Sequence, residues 1–100
     1  MSMRRVVHVR IRGLVQGIGF RAWTQHQAEL HGLEGWARNR RDGSVETVFA
    51  GPSEIVDAIL KACRQGPRGS RVEDVDAQET DEGALTERPE ASGFVLLGTA

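Results

Sequence analysis

The segment from Gly13 to Arg21 holds the residues of this chain best suited to chemistry. It reads Gly-Leu-Val-Gln-Gly-Ile-Gly-Phe-Arg, so a glycine-rich stretch leads directly to an arginine. Backbone N–H groups in a tight glycine-rich turn can converge on one point, and the first N–H groups of a following helix have no partner inside that helix. The helix dipole favours negative charge there, and a guanidinium matches phosphate oxygens. The segment therefore predicts a binding site for one phosphate-sized anion.

Two better-known phosphate-binding patterns do not fit this segment. No Gly-Lys-Ser/Thr follows the loop, which excludes the lysine-containing nucleotide loop, and the spacing of Gly13, Gly17 and Gly19 fits the dinucleotide fingerprint poorly. A glycine-rich turn between a strand and a helix is also often only a packing device. Taken alone, the loop leaves both interpretations open.

The loop is predicted to join a strand to a helix. Apolar residues alternate with polar ones before the loop, as in a strand with one buried face, at Val7, Val9 and Ile11. From Phe20 to about Leu30 the chain lacks glycine and proline, with Phe20, Trp23 and Leu30 on one helical arc. Gly32 is predicted to end this helix.

The rest of the chain predicts two hairpin strands, a second helix and two further strands. Strands at 33–40 and 44–50 are joined by a turn at Asp42-Gly43. Pro52 is predicted at the first position of the second helix, which ends at Gly66-Pro67. Its apolar face, by helical spacing, contains Ile55, Val56, Ile59, Ala62 and Cys63. Strands at 71–78 and 94–97 flank an acidic connection, 79–93, that we expect to be mobile.

This order of elements predicts an α+β fold of the ferredoxin-like sandwich type. We expect a mainly antiparallel sheet of four to five strands, in the order βαββαβ with a possible extra strand, and both helices on one face. A chain of 100 residues is large enough for one core, so residues 1–100 are expected to form a single domain.

Composition narrows the class of protein. No apolar run could span a bilayer and no signal-peptide pattern opens the chain, so we expect a cytoplasmic protein without membrane contact. The single cysteine, Cys63, cannot form an internal disulfide and is interpreted as a buried apolar residue. The histidines at 8, 26 and 31 lack metal-ligand spacing. We therefore expect no metal site and no cofactor.

The charge is divided unevenly along the chain. Residues 1–41 carry eight Lys/Arg and two Asp/Glu, a net charge of +6, whereas residues 42–100 carry five and twelve, a net charge of −7. The basic half contains the glycine loop, which suits a small anionic ligand. A nucleic-acid binder would usually be more basic overall, so we expect no nucleic-acid partner.

A second segment extends the pattern: Gly35-Trp36-Ala37-Arg38-Asn39 is followed by Gly43, Val45 and Gly51. Together the two segments resemble the signatures of the acylphosphatase family, a Gly-x-Val-Gln-Gly-Val-x-Phe-Arg type loop and a Gly-aromatic-small-basic-Asn segment with spaced Gly, Val and Gly. The only departure is Ile18, where the family usually has valine. The resemblance covers roughly residues 6–97. The last strand, at 94–97, is more apolar than that family leads us to expect, and we expect it not to touch the chemistry.

The resemblance implies a function and a site. In acylphosphatases the loop N–H groups and the arginine hold the phosphoryl group, and the asparagine positions the attacking water. By motif position, this implies phosphate binding by Arg21 and catalysis by Arg21 and Asn39. The implied binding loop consists of Val15, Gln16, Gly17, Ile18, Gly19 and Phe20. The implied reaction is metal-free hydrolysis of small acyl phosphates to carboxylate and inorganic phosphate. We expect a free-standing enzyme that acts as a monomer.

Other interpretations of these residues remain open. Asn39 alone could stabilise the hairpin turn, Gln16 could brace the loop, and Arg21 could be a surface residue. The arginines at 38, 40 and 41 could steer an anionic substrate or simply be solvated. Ferredoxin-like domains also bind RNA, for which Trp36 and Phe49 are the candidate stacking residues. A similar domain also occurs at the front of larger carbamoyl-transferring maturation proteins.

Overall fold

The computed structural model describes residues 3–89 and 93–100. Its elements in chain order are β1 (Arg4–Leu14), α1 (Phe20–Leu30), β2 (Glu34–Asn39), β3 (Val45–Pro52), α2 (Ser53–Gln65), β4 (Arg71–Glu79), a 3₁₀ helix (Glu82–Glu87) and β5 (Phe94–Leu96). The helices predicted from sequence are both present, and so are all five strands. None of the helices in these two ranges is both long enough and apolar enough to cross a membrane.

The strands form a five-stranded sheet in the order β4-β1-β3-β2-β5. The pairs among β1 to β4 are antiparallel, and β5 lies parallel to β2. The inward residues of β1, Val7, Val9 and Ile11, are fully buried in one cluster with residues of both helices. Both helices thus pack on one face of a mainly antiparallel sheet, which confirms the predicted ferredoxin-like fold.

The face opposite the helices is partly covered by the 3₁₀ helix. Leu85 of that helix is buried in a second apolar cluster with Trp36 and Val48, and the indole Nε1 of Trp36 donates a hydrogen bond of 2.7 Å to the carbonyl of Ala84. The prediction of a mobile connection over 79–93 is therefore wrong for residues 79–89, because Leu85 finds an apolar surface to bury. Residues 90–92 of that connection lie outside the described residues.

The buried face of α1 differs from the predicted arc. Leu30 is 66% exposed, and the buried residues are Phe20, Thr24 and Ala28. Their spacing of four residues places them on one side of the helix. The Thr24 hydroxyl donates a hydrogen bond of 2.8 Å to the carbonyl of Phe20, so this polar group has a partner although it is buried. The prediction that Leu30 lies on the buried face was wrong, because it rested only on the apolar character of the side chain. Gly32, with φ of 68°, directly follows the last helical turn as predicted.

The second helix begins one residue later than predicted. Pro52 is its N-cap in extended backbone and still belongs to β3, so the first helical residue is Ser53. Val56, Ile59 and Cys63 are buried as predicted, Leu60 is buried as well, and Ile55 and Ala62 are only partly buried. Burial raises the pKa of the Cys63 thiol to about 12, which agrees with a packing role for this side chain.

A buried carboxylate, Glu46 of β3, organises charges on the face opposite the helices. It accepts hydrogen bonds from Nε of Arg38 at 2.7 Å and from Nη1 of Arg40 at 3.3 Å, and it lies within hydrogen-bond distance of Nε2 of His8. Burial by itself raises the pKa of Glu46, but the contacts with His8 and Arg38 outweigh burial and hold that pKa below its ordinary value. The ionised carboxylate therefore stabilises the fold.

We expect Glu46→Gln to lower the free energy of unfolding by about 2 kcal/mol at neutral pH, because Arg38 and Arg40 lose their carboxylate partner. A carboxyl group with a lowered folded-state pKa stabilises the fold above its unfolded value of about 4.3, and that contribution is lost as the pH falls through the folded value. Urea unfolding between pH 3 and pH 7 checks this, with the exposed Glu29→Gln as control. A difference from wild type that persists unchanged at pH 3 would contradict the assignment.

Candidate functional site

A cavity of about 260 Å³ opens where the chain leaves β1 and begins α1. We call it the α1 cavity. Its walls come from the loop after β1, the first turn of α1, the end of β2 and β5. The residues that line it are Val15, Gln16, Gly17, Gly19, Phe20, Arg21, Ala22, Asn39 and Leu96. The volume is slightly below that of pockets for drug-sized ligands, which suits a small molecule.

The residues predicted to act together do meet at this cavity. Arg21 from α1 and Asn39 from β2 both line it, although 18 positions separate them in the chain. Of the predicted loop residues, Ile18 is the exception, because it does not line the cavity. Its side chain is half-buried and packs against the helix-side core. In this loop the Ile18 side chain therefore faces the core, whereas Gly17 and Gly19 line the cavity.

The glycines of the loop leave its backbone accessible. Gly17 and Gly19 have φ angles of 77° and 79°, in the left-handed region that favours glycine, and a Cβ at either position would meet nothing within 4 Å. Gly13 has a different role, because a Cβ there would collide with the carbonyl oxygen of Arg71 where β1 bulges against β4. Two of the three loop glycines therefore leave open space beside the backbone, and the first allows β1 and β4 to approach closely.

The N-terminus of α1 lacks the usual protein partners. Its N-cap is Gly19, which offers no side chain, and the first turn holds no acidic residue. Helix N-termini carry unpaired N–H groups and a partial positive charge, which serine, aspartate or glutamate residues commonly satisfy. A bound anion would supply that missing acceptor.

The guanidinium of Arg21 is fixed at the same place. The side chain is half-buried, and its Nη1 donates a hydrogen bond of 3.1 Å to the carbonyl of Leu97, which follows β5. This contact uses one of the five N–H donors of a guanidinium. The lining residues include no carboxylate, so Arg21 is the charged group among them. A cation at a helix N-terminus is unfavourable by itself, and an anion between the two would reverse that effect.

Gln16 connects the loop to the hairpin that follows Asn39. Its Nε2 donates hydrogen bonds to the carbonyls of Arg40 at 2.7 Å and of Ser44 at 2.8 Å. Within the hairpin turn, the N–H of Arg40 donates a hydrogen bond of 2.8 Å to the carbonyl of Ser44. The Ser44 hydroxyl donates a hydrogen bond of 2.6 Å to the carboxylate of Asp42. These hydrogen bonds support the interpretation of Gln16 as a brace, because they tie the loop to the hairpin that follows Asn39.

The last residues of the chain support Asn39 from its other side. The N–H of Leu97 donates to the carbonyl of Ala37 at 2.9 Å, and the N–H of Ala100 donates to the carbonyl of Asn39 at 3.0 Å. The N–H of Arg41 donates in turn to the carbonyl of Ala100, also at 3.0 Å. The backbone around Asn39 is therefore bonded both to β3 and to residues 97–100.

Several alternative roles lose support in the described residues. Trp36 and Phe49 are 2% and 0% exposed, so neither offers a face on which an RNA base could stack. Arg38 and Arg40 form ion pairs with Glu46 on the face of the sheet opposite the cavity. Arg38 lies on that face because successive side chains of a strand point to opposite faces. In residues 3–89 and 93–100, no three His, Cys, Asp or Glu side chains are grouped to hold a metal ion.

Sequence reasoning missed two residues of the cavity, Ala22 and Leu96. The last strand reaches the cavity, because Leu96 lines it and is 38% exposed, while its separation from the chemistry stays a prediction. Parallel pairing places Leu96 beside Ala37, two positions before Asn39. The apolar character of residues 94–97 was the available signal, but the register of a parallel edge strand cannot be read from the sequence.

This chain is similar to known proteins in sequence and in fold. The family model described as Acylphosphatase matches residues 7–94. An acylphosphatase of Bradyrhizobium diazoefficiens is 47% identical over 96 residues, which cover 96% of this chain and 97% of the relative. The crystal structure of the acylphosphatase from Bacillus subtilis is similar with a TM-score of 0.82, at 29% identity, covering 95% of this chain and 99% of that one.

A longer protein contains a similar fold. The crystal structure of full-length HypF in a phosphate- and nucleotide-bound form matches 99% of this chain with a TM-score of 0.82, but the match covers only 12% of that chain. The sequence identity is 20%, so this likeness concerns the fold alone.

We expect Gln16→Ala to loosen the hairpin while leaving the fold intact, because two hydrogen bonds to carbonyls at its base are lost. The free energy of unfolding should fall by about 1–3 kcal/mol, since each net hydrogen bond contributes about 1 kcal/mol. Amide hydrogen exchange should accelerate at Arg40, whose N–H closes the turn. The exposed Gln65→Ala at the end of α2 is the control, and unchanged exchange at Arg40 in Gln16→Ala would contradict the bracing role.

Proposed function

Because this chain belongs to the acylphosphatase family and hydrolyses acyl phosphates, we propose that the α1 cavity is its active site. The observation that carries the proposal is that Arg21 and Asn39 line one cavity with an uncapped helix N-terminus. We propose in addition that residues 1–100 act as a single catalytic domain. The products are a carboxylate and inorganic phosphate.

In this proposal the phosphoryl group is bound by main-chain N–H groups of the loop from Val15 to Phe20 and by Arg21. The N–H groups are fixed by the backbone, and the guanidinium is held by the Leu97 carbonyl, so little reorganisation accompanies binding. Phosphoryl transfer depends mainly on positioning and on stabilising charge at the phosphoryl oxygens. We propose that Arg21 supplies that positive charge without a metal ion, since the lining residues offer no carboxylate, imidazole or thiolate ligand.

Asn39 is proposed to orient the attacking water. Its carboxamide can donate and accept hydrogen bonds but cannot take a proton at neutral pH. The water oxygen forms a bond to phosphorus as the bond from phosphorus to the acyl oxygen breaks, and the electron pair leaves with the carboxylate. A carboxylate leaving group has a pKa of roughly 4–5, so no general acid is needed. The proton of the water passes to a phosphate oxygen or to solvent.

We also propose that the protein acts as a monomer on a small substrate and without nucleic acid. The outer strand β4 is exposed and carries four acidic residues among its nine. A second copy paired along this edge would bring like charges together, which disfavours a continuous sheet. The buried positions of Trp36 and Phe49 argue against RNA stacking. A cytoplasmic location stays a prediction of the sequence.

Replacing Asn39 tests the water-positioning role. We expect Asn39→Ala to lower kcat for benzoyl phosphate by roughly 10²–10³, the scale of one lost preorganised polar contact. Inhibition by inorganic phosphate should change little, because the loop and Arg21 remain. The assay is run with a chelator present, and urea unfolding verifies that the variant keeps its stability. Full activity in Asn39→Ala would remove this residue from the mechanism.

Replacing Arg21 tests the anion site itself. We expect Arg21→Ala to weaken competitive inhibition by inorganic phosphate and to lower kcat/KM for benzoyl phosphate by at least about 10², because the guanidinium contacts both the bound and the reacting phosphoryl group. The exposed Arg68→Ala is a control for the loss of one positive charge. An unchanged phosphate inhibition constant in Arg21→Ala would show that the phosphoryl group binds elsewhere.

A further inference from the structure

We propose that Leu96 of β5 contacts the acyl group of the substrate, so that the enzyme favours acyl phosphates with extended apolar acyl groups. This inference rests on the proposed function of the α1 cavity. Leu96 lines that cavity together with Arg21 and Asn39, and it is one of the few large apolar side chains left substantially exposed among the described residues. Burying it against an apolar ligand removes apolar surface from water.

The position of Leu96 is determined by contacts on both sides of β5. Strand alternation places Phe94 and Leu96 on the helix side of the sheet, where Phe94 is buried and stacks on Phe49 with ring centroids 5.8 Å apart. The two residues that point the other way, Val95 and Leu97, pack against the second apolar cluster. Leu96 is thus directed toward the helix side at the point where the core ends and the cavity begins.

Two side chains of α1 hold this strand in place. Nε2 of Gln25 donates to the carbonyl of Phe94 at 3.2 Å, and Nη1 of Arg21 donates to the carbonyl of Leu97 at 3.1 Å. The two donors are four positions apart on α1 and the two acceptors lie on either side of Leu96. The same arginine that is proposed to hold the phosphoryl group therefore also fixes the strand that carries Leu96.

The other lining residues leave Leu96 as the large apolar side chain available to a ligand. Val15 and Phe20 are packed into the core, the glycines offer only backbone, and Ala22, which is exposed, adds a single methyl group. Once the phosphoryl oxygens occupy the loop and Arg21, the cavity presents no second charged side chain to the acyl group. An acyl chain with its own carboxylate or ammonium group gains no oppositely charged side chain there, whereas an alkyl chain gains contact with Leu96.

The experiment measures kcat/KM for acetyl, butanoyl and hexanoyl phosphate. The leaving carboxylates of this straight-chain series have nearly equal basicity, so differences report contact with the acyl chain. For the wild type we expect an increase of about twofold per added methylene, which corresponds to partial burial of each methylene. In Leu96→Ala the preference for hexanoyl over acetyl phosphate should fall by at least about fivefold. Leu96→Ile, which keeps the apolar surface, should retain it.

Inorganic phosphate separates this role from a structural one. Phosphate has no acyl group, so its inhibition constant should stay within about twofold in Leu96→Ala, and Leu30→Ala on the exposed side of α1 should resemble wild type throughout. A wild-type enzyme without chain-length preference would overturn the proposal. An equal loss for all three substrates with weaker phosphate inhibition would also overturn it, because Leu96 would then act by positioning Arg21. Full turnover in Arg21→Ala would instead overturn the proposed function.

Discussion

The hydrogen bonds from the side-chain amide of Gln16 to the carbonyls of Arg40 and Ser44 fix the geometry on which this site depends. The groups that can hold an anion lie in the loop and in α1, while Asn39 lies on β2 before the hairpin. The cavity keeps its shape only if these segments keep their separation. The amide nitrogen of Gln16 donates to two carbonyls of the hairpin, and two hydrogen bonds restrict the loop relative to the hairpin more than one would.

The sheet separates charges that would otherwise compete for the substrate. Arg38 and Arg40 flank Asn39 in sequence, but both side chains lie on the other face of the sheet, where Glu46 accepts hydrogen bonds from both. Asn39 remains on the cavity side. Among the lining residues the positive charge is therefore that of Arg21, which also contacts the backbone after β5. The neutralised arginines contribute to stability, and Arg21 is available for a ligand.

Much of this arrangement could be predicted from local patterns. Alternation at Val7, Val9 and Ile11, the Asp42-Gly43 turn and the spacing of the α2 residues each depend on a few neighbouring positions, and the structure agrees with them. The two glycine-containing motifs predicted that Arg21 and Asn39 would share a cavity. The roles of individual residues in catalysis remain predictions.

The start of α2 differs from its prediction by one residue, at Pro52, whereas three other features that the sequence did not predict concern contacts between distant segments. Burial of Thr24 in place of Leu30 depends on which side of α1 meets the sheet, and Leu85 became ordered because Trp36 and Val48 offered it an apolar surface. The place of Leu96 depends on a parallel register between β5 and β2. No local pattern in the sequence encodes these three relationships, because each depends on packing between segments that are far apart in the chain.

The uncapped start of α1 beside Arg21 has a consequence for how the protein behaves in solution. The partial positive charge of the helix end and the guanidinium repel each other mildly in the free protein, and an oxyanion bound there, as proposed, would relieve that repulsion. Ligands that bind only the native state raise the midpoint of thermal unfolding in proportion to the logarithm of their concentration. With the proposed anion site, phosphate or sulfate would therefore stabilise the protein against heat beyond the general effect of these salts.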